Sequence, residues 1–227
     1  MSKVSKNSIY IVAGGANGIG ASIASKLFDE GADVLVLDKV EPNKKIEGVE
    51  YIIVDLSNAS SVSDISGRLP ENIDGLILSI GVMRRGTIME SSETDYDLLM
   101  NSNVKATWLT IKAISPKIRN DGTIVQLSSG HVLDPEADPG IYTLSKKAVT
   151  ALAEILELTR PELSVKYVYP GPINTQLLRE GRTKEEQERV ISISQDPSFI
   201  AEKTIQLIDS DHKTLKFKPK KWDYDFE

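Results

Sequence analysis

Residues 9–21 read Ile-Tyr-Ile-Val-Ala-Gly-Gly-Ala-Asn-Gly-Ile-Gly-Ala, and this stretch decides the fold. Ile9–Ala13 is a short, wholly apolar, β-branched run, which is what a strand buried on both faces requires. It breaks into a turn with glycines at Gly14, Gly15, Gly18 and Gly20, and a helical apolar pattern begins at Ile19. Gly14 and Gly18 allow a tight turn and close approach of backbone to a ligand, while Gly20 allows close packing. The helix start around Asn17, Gly18 and Ile19 offers amide donors and positive potential, a place for a phosphate or pyrophosphate. A glycine-rich turn alone also fits a merely tight strand-to-helix connection, so its context matters.

Outward from that unit, short β-rich runs alternate with helix-length segments. Strands are predicted near Ile9–Ala13, Val34–Leu37, Tyr51–Val54, Gly75–Leu78, Thr123–Leu127 and Val165–Tyr169, with a weaker one at Thr214–Phe217. Helices are predicted near Ile19–Glu30, Ser60–Arg68, Thr94–Arg119, Tyr142–Thr159 and Ser198–Ile208. Repeated strand–helix–strand units imply an α/β fold with a parallel, doubly wound sheet of about seven strands, helices on both faces, Rossmann-like in plan. Residues 1–227 read as one domain, with ligands expected beyond the carboxyl ends of the strands. The polar stretch Arg179–Arg189 reads as a solvated helix or a lid.

Composition removes whole classes of function. A net charge of -6 without acidic or basic blocks speaks against nucleic acid as a partner. With no cysteine and two histidines, His131 and His212, neither a disulfide framework nor a metal site is expected. No apolar run nears the roughly 20 residues that span a bilayer, and Met1–Ser8 lacks a signal-peptide pattern. A cytoplasmic protein that does not bind membranes is the expectation, its chemistry carried by Ser, Tyr, Lys, Asn or carboxylates.

Asp38 ends the second strand about where an acid that grips a ribose should fall, roughly 20 residues beyond the glycine turn. Its carboxylate would accept both adenosine ribose hydroxyls and repel a 2′-phosphate, favouring NAD over NADP, with Lys39 blunting the preference. Tyr142 and Lys146 stand four apart, on one helix face. A cation beside a phenol stabilises the phenolate and brings an otherwise weak acid/base toward its working range. Ser129 follows the strand Thr123–Leu127 at the carboxyl edge of the sheet, where it would hydrogen-bond a substrate oxygen.

Together the Gly14–Gly20 turn, Asp38, Asp55-Leu56, Asn103, Ser129, Tyr142, Lys146 and Pro170-Gly171-Pro172-Ile173-Asn174-Thr175 resemble the short-chain dehydrogenase/reductase family in order and interval, over nearly the whole chain. The resemblance implies hydride transfer between NAD(H) and a small carbonyl or alcohol substrate, with Tyr142 as acid/base. It implies that Lys146 binds the nicotinamide ribose and lowers the tyrosine pKa, that Ser129 orients the carbonyl, and that Asn103 holds a water linked to Lys146. By the same likeness Asp55 would meet the adenine, Ile173 and Thr175 the nicotinamide and its carboxamide, and Leu56, Gly81, Pro170 and Gly171 would also bind the cofactor. The alternative on the same fold is a non-catalytic NAD-binding sensor or interaction protein.

Some features depart from that pattern or stand outside it. Ala13 occupies a position usually held by threonine, and Leu78-Ser79-Ile80-Gly81 replaces the usual Asn-Asn-Ala-Gly, leaving only Gly81 and putting the asparagine bridge in doubt. His131 reads as a surface residue and Trp108 as packing. Arg84 and Arg85 fall near the cleft mouth, where they would bind an anionic substrate or simply be solvated. Lys216, Lys218, Lys220 and Lys221 read as protection for an exposed edge strand. The segments near Val104–Ile114 and Ala148–Leu158 carry more apolar positions than one core-facing stripe needs, which predicts self-association, a homodimer with a tetramer as the further option.

Overall fold

The computed structural model describes residues 3–227; Met1 and Ser2 of the polar lead lie outside the described residues. In chain order the elements are β1 (Ile9–Ala13), α1 (Gly18–Asp29), β2 (Asp33–Asp38), β3 (Glu50–Ile53), α2 (Ala59–Ser66), β4 (Ile73–Leu78), α3 (Glu93–Leu99), α4 (Ala106–Ile114) and β5 (Ile118–Leu127). They continue with α5 (Gly130–Leu133), α6 (Gly140–Thr159), β6 (Ser164–Tyr169), α7 (Gln176–Arg179), α8 (Lys184–Ser192), α9 (Pro197–Asp209), β7 (Thr214–Lys218) and β8 (Asp223–Phe226).

The strands form one sheet in the order β3-β2-β1-β4-β5-β6-β7-β8. The first seven strands run parallel and only β8 is antiparallel, against β7. Chain direction across the sheet reverses between β1 and β4, so the crevice beyond their carboxyl ends is where a ligand is received. The register aligns Ala13 with both Leu37 and Leu78, which brings the strand ends level at that crevice.

Alternation within each strand builds a core on both faces. Ile11 and Ala13 join α2, α4 and α6 through Val62, Ile65, Leu109, Ile114, Ala153 and Leu156. Tyr10 and Val12 point the other way, onto Ile23 and Leu27 of α1 and Ile205 and Ile208 of α9. Fully burying each such side chain contributes about 1.5–3 kcal/mol, and with helices covering both faces the strands can be apolar throughout.

Three expectations need correction. The helix drawn from Thr94 to Arg119 is interrupted by a π-helical segment at Met100–Lys105, and a 3₁₀ turn at Ser115–Lys117 follows α4. Pro116 in that turn has no N–H to continue the helix, and Ile118 already pairs with Ile73 in the sheet. The sheet has eight strands rather than about seven, because Asp223–Phe226 returns along β7. The lysines of β7 therefore do not guard an open edge: Lys216 pairs with Glu227 at 2.6 Å and Lys218 with the same carboxylate at 3.1 Å, while Lys221 meets Asp225 at 3.1 Å.

Candidate active site

A cleft of about 890 Å³ opens along the carboxyl edge of the sheet. Gly14, Asn17, Gly18, Ile19, Asp38, Asp55, Leu56, Gly81, Ser129, Tyr142, Lys146, Pro170, Gly171, Ile173 and Thr175 all line it. Gly20 and Asn103 stand behind its wall.

At the glycine turn, Gly14 has φ +78 and Gly18 φ +60, the left-handed region that other residues avoid. A Cβ on Gly20 would lie 2.1 Å from the Gly14 carbonyl oxygen, so only glycine lets the helix close on the turn. Asn17 does not cap α1 with its side chain, whose oxygen instead accepts from the Asn43 amide at 3.2 Å. The first-turn amides of α1 are thus uncapped by any side chain, a donor set suited to a phosphate. Asp38 is held by the Ala16 and Val40 amides at 3.0 and 3.3 Å, which fixes its carboxylate at the cleft wall. Hydrogen bonds from the Ser57 hydroxyl and amide hold the Asp55 carboxyl below its ordinary range, with Lys39 nearby adding to the effect. Residues of these types and positions fit a dinucleotide along the β1–β2 side.

The other half is built on α6. Tyr142 and Lys146 are 4% and 5% exposed, so desolvation governs both. Burial pushes the Tyr142 phenol up to about 12, against a hydrogen bond with Ser129 that pulls it down. Burial lowers the Lys146 ammonium to about 8. Its Nζ donates to the Ile80 and Leu127 carbonyls at 3.2 and 3.3 Å, so the lysine is anchored to the ends of β4 and β5. The expected lowering of the phenol by this cation is not among its causes; the Ser129 bond is. Ser129 caps α5, its Oγ also accepting from the His131 amide at 3.3 Å.

Asn103 sits in the π-helical segment and is fully buried. Its Oδ1 accepts from the Val82 amide at 2.8 Å, and its Nδ2 donates to the Val82 carbonyl at 3.0 Å and to Ser145 Oγ at 2.9 Å. Both amide donors are thereby spent on protein partners, so the side chain pins the strand-end loop to α6 and has no donor left for a water.

The departure at Leu78–Gly81 costs little because the backbone does the work there. Ser79 donates its amide to Ala13, the Ile80 carbonyl receives Lys146, and the Ile80 side chain turns into the core. A Cβ on Gly81 would stand 3.0 Å from Lys146 Nζ, so the absent side chain leaves room for the lysine head. On the far side, Thr175 caps α7 with its hydroxyl and sets its methyl 3.3 Å from where a Gly18 Cβ would be, joining the β6 end to the glycine turn.

Two residues read as ordinary from the sequence are not. His131 is half-buried and meets the Tyr142 ring edge-on, with centroids 6.5 Å apart. Trp108 is 47% exposed, with Lys112 Nζ 5.6 Å from its ring centre. Arg84 and Arg85 both line the cleft, together with Arg182, Phe217 and Trp222, which the sequence reading passed over. The nearest available signal was the polar stretch Arg179–Arg189, which the structure forms into the end of α7, a turn at Glu180–Gly181 and most of α8.

The cleft and fold define a nucleotide-dependent oxidoreductase of the α/β class, and comparison with known proteins makes this specific. The short chain dehydrogenase family model matches residues 8–186; the chain belongs to the short-chain dehydrogenase family, whose cofactor is a nicotinamide dinucleotide. Among its relatives is oxidoreductase UcpA of Salmonella typhimurium, 31% identical over 182 residues, covering 73% of this chain and 69% of that one. Dehydrogenase/reductase SDR family member 6 of Aquarana catesbeiana is 28% identical over 181 residues, covering 76% and 74%. In fold, the chain resembles aldohexose dehydrogenase of Thermoplasma acidophilum, with TM-score 0.79, 24% identity and coverage of 92% and 89%. A short chain dehydrogenase family protein of Francisella tularensis gives TM-score 0.80 at 23% identity, covering 90% and 92%. No helix among the described residues is long and apolar enough to cross a membrane.

Proposed function

We propose that the protein is a one-domain NAD(H)-dependent dehydrogenase/reductase acting on a small alcohol or carbonyl compound, with Tyr142 as the acid/base. The observation that carries this reading is the convergence of Ser129, Tyr142 and Lys146 in one cleft with the uncapped start of α1. When bound, the dinucleotide supplies or accepts the hydride. The proton falls to this chain. In reduction, the Tyr142 hydroxyl gives its proton to the carbonyl oxygen as the C–H bond forms, and Ser129 holds that oxygen. A phenol near 12 is protonated at neutral pH, ready for this direction; oxidation asks it to accept a proton and should quicken as pH rises. Lys146 holds the ribose. A pure binding module would have no use for a buried phenol and ammonium. Purified protein assayed for NADH consumption or formation against carbonyl and alcohol panels tests the reading.

Cofactor choice follows from Asp38. A 2′-phosphate placed against its fixed carboxylate is repelled, so NADH should bind at least about tenfold more tightly than NADPH. Asp38→Ser should narrow the gap. Parallel fluorescence titrations measure both, and equal affinities in the unaltered protein would end the NAD assignment.

Self-association belongs to the same proposal. Leu144, Ile155 and Leu158 are 46, 59 and 84% exposed on one side of α6, and Trp108 is open on α4. Such an apolar face fits a homodimer, with a tetramer the further option. Light scattering should show no monomer at micromolar concentration, and Ile155→Glu should release one while NADH affinity persists.

A further inference from the structure

The cleft has a charged end that the chemistry at Tyr142 does not use. Arg85 comes from the loop after β4, and Arg182 from the turn between α7 and α8. That turn rests on the Arg85 stem: a Cβ on Gly181 would lie 3.3–3.7 Å from three Arg85 side-chain carbons. Two half-buried guanidinium groups are therefore held in the same wall. Only one fixed carboxylate serves them. Asp138 accepts from Arg85 Nη1 at 3.1 Å and from the Gly86 amide at 2.7 Å. Arg85 Nε is buried with no hydrogen-bond partner. Arg182 spends one donor on the Leu178 carbonyl and has no carboxylate within ion-pair distance among the described residues.

Neighbouring charges do not fill the gap. Arg84 is closed off by Glu180 and Asp95. Glu186 attracts both arginines through space, but it is exposed, accepts from the Thr183 amide at 2.7 Å and makes no ion pair with either among the described residues. Asp134 and Glu136 stand exposed at the rim, where solvent and salt weaken their pull. Half-burying an arginine charge without a partner is costly, and the cost is recovered when an anion arrives. Burial, and then Arg85, lower the Arg182 guanidinium from its ordinary value, with Asp138 and Glu186 pulling the other way. His131 links this end to the phenol, lying against Tyr142 and depressed by burial toward its neutral form.

We infer that Arg182 and Arg85 form a carboxylate site at the substrate end of the cleft, so that the substrate is a hydroxy acid and its product the matching oxo acid. This rests on the oxidoreductase reading above and names its substrate class. Arg85 is bonded to Asp138 and Arg182 makes no ion pair among the described residues, so a single guanidinium is free to take an anion, which suits a monoanion better than a phosphate dianion, and a guanidinium fork matches a carboxylate in two parallel hydrogen bonds. In the reductive direction the carbonyl carbon gains the hydride, its oxygen gains the Tyr142 proton, and the carboxylate passes through unchanged.

The test compares short straight-chain oxo acids with their methyl esters, NADH as reductant. The acids should be favoured in kcat/KM by about tenfold or more, the effect of a charge-assisted contact. Arg182→Gln should erase most of that ratio, mainly through KM, and Arg182→Lys should restore part of it. Equal use of acid and ester, or a ratio unmoved by Arg182→Gln, overturns the site. A readout free of turnover is titration calorimetry of propionate and propionamide into the NADH-saturated protein. Propionate binding, weakened about tenfold or more in Arg182→Gln, supports the site; no propionate binding in the unaltered protein overturns it. Propionate binding in a protein that reduces nothing in the panel would keep the anion site and sink the oxidoreductase reading.

Discussion

Replacing Tyr142 with phenylalanine is expected to cut turnover by about 10²- to 10⁴-fold while leaving NADH affinity and the unfolding transition in place. The substitution removes one oxygen. The ring keeps its packing against Met83, Leu99 and Ile141 and its edge contact with His131, so the shape of the cleft survives. What is lost is the donor whose proton reaches the carbonyl oxygen, and Ser129, left with a hydroxyl alone, is too weak an acid to replace it. Burial holds the Tyr142 phenol up at about 12, so the unaltered enzyme should reduce carbonyls over a broad neutral range and oxidise alcohols faster as pH rises. Steady-state rates across that range, with thermal unfolding and NADH titration on the same samples, check all three parts. Undiminished turnover in Tyr142→Phe on a good substrate would show that another group carries the proton.

Much of this cleft was legible in the sequence because its parts obey local rules. The turn from Gly14 to Gly20 announces itself through residues whose left-handed backbone or absent Cβ nothing else can supply. Tyr142 and Lys146 are legible because helix periodicity alone places them on one face, and the apolar strands β1, β2 and β4 because both of their faces are buried. What escaped depends on contacts between distant segments. The π-helical segment that carries Asn103 has no composition signal of its own; it is stabilised by bonds to Val82 and Ser145, far along the chain. His131 looks like a loop histidine until Gly130 bonds to the Pro170 carbonyl and folds α5 inward beside Tyr142. Arg182 lies in a stretch that is polar in sequence, and only the seating of Gly181 on Arg85 makes it part of a wall. β8 is short, charged and tied to its neighbour by ion pairs, so hydrophobic alternation could not reveal it.

Lys146→Met should act on chemistry and on stability in ways that separate. Removing the amine takes away the ribose contact and the two bonds that tie α6 to the Ile80 and Leu127 carbonyls, so both NADH affinity and turnover should fall, turnover by about 10²-fold or more. Stability behaves differently because the ammonium is buried. Its pKa lies near 8 in the fold against 10.5 in the open chain. Below pH 8 both states hold the proton and the folded state bears the cost of a buried charge. Between 8 and 10.5 the folded protein has released the proton and the unfolded chain still binds it, so stability rises with pH through that window. The methionine variant has no such titration. Loss of the two bonds to the Ile80 and Leu127 carbonyls shifts its stability by an amount that does not depend on pH. The unaltered protein should therefore gain on the variant by about 2 kcal/mol between about pH 7 and about pH 9.5, a range in which the buried phenols of Tyr10, Tyr142 and Tyr224, all pushed upward by burial, stay protonated in both proteins. Paired denaturant curves at the two pH values measure the difference directly. A gap that stays constant within a few tenths of a kcal/mol would mean that Lys146 keeps its proton at an ordinary pKa, and that solvent reaches it where the fold says it does not.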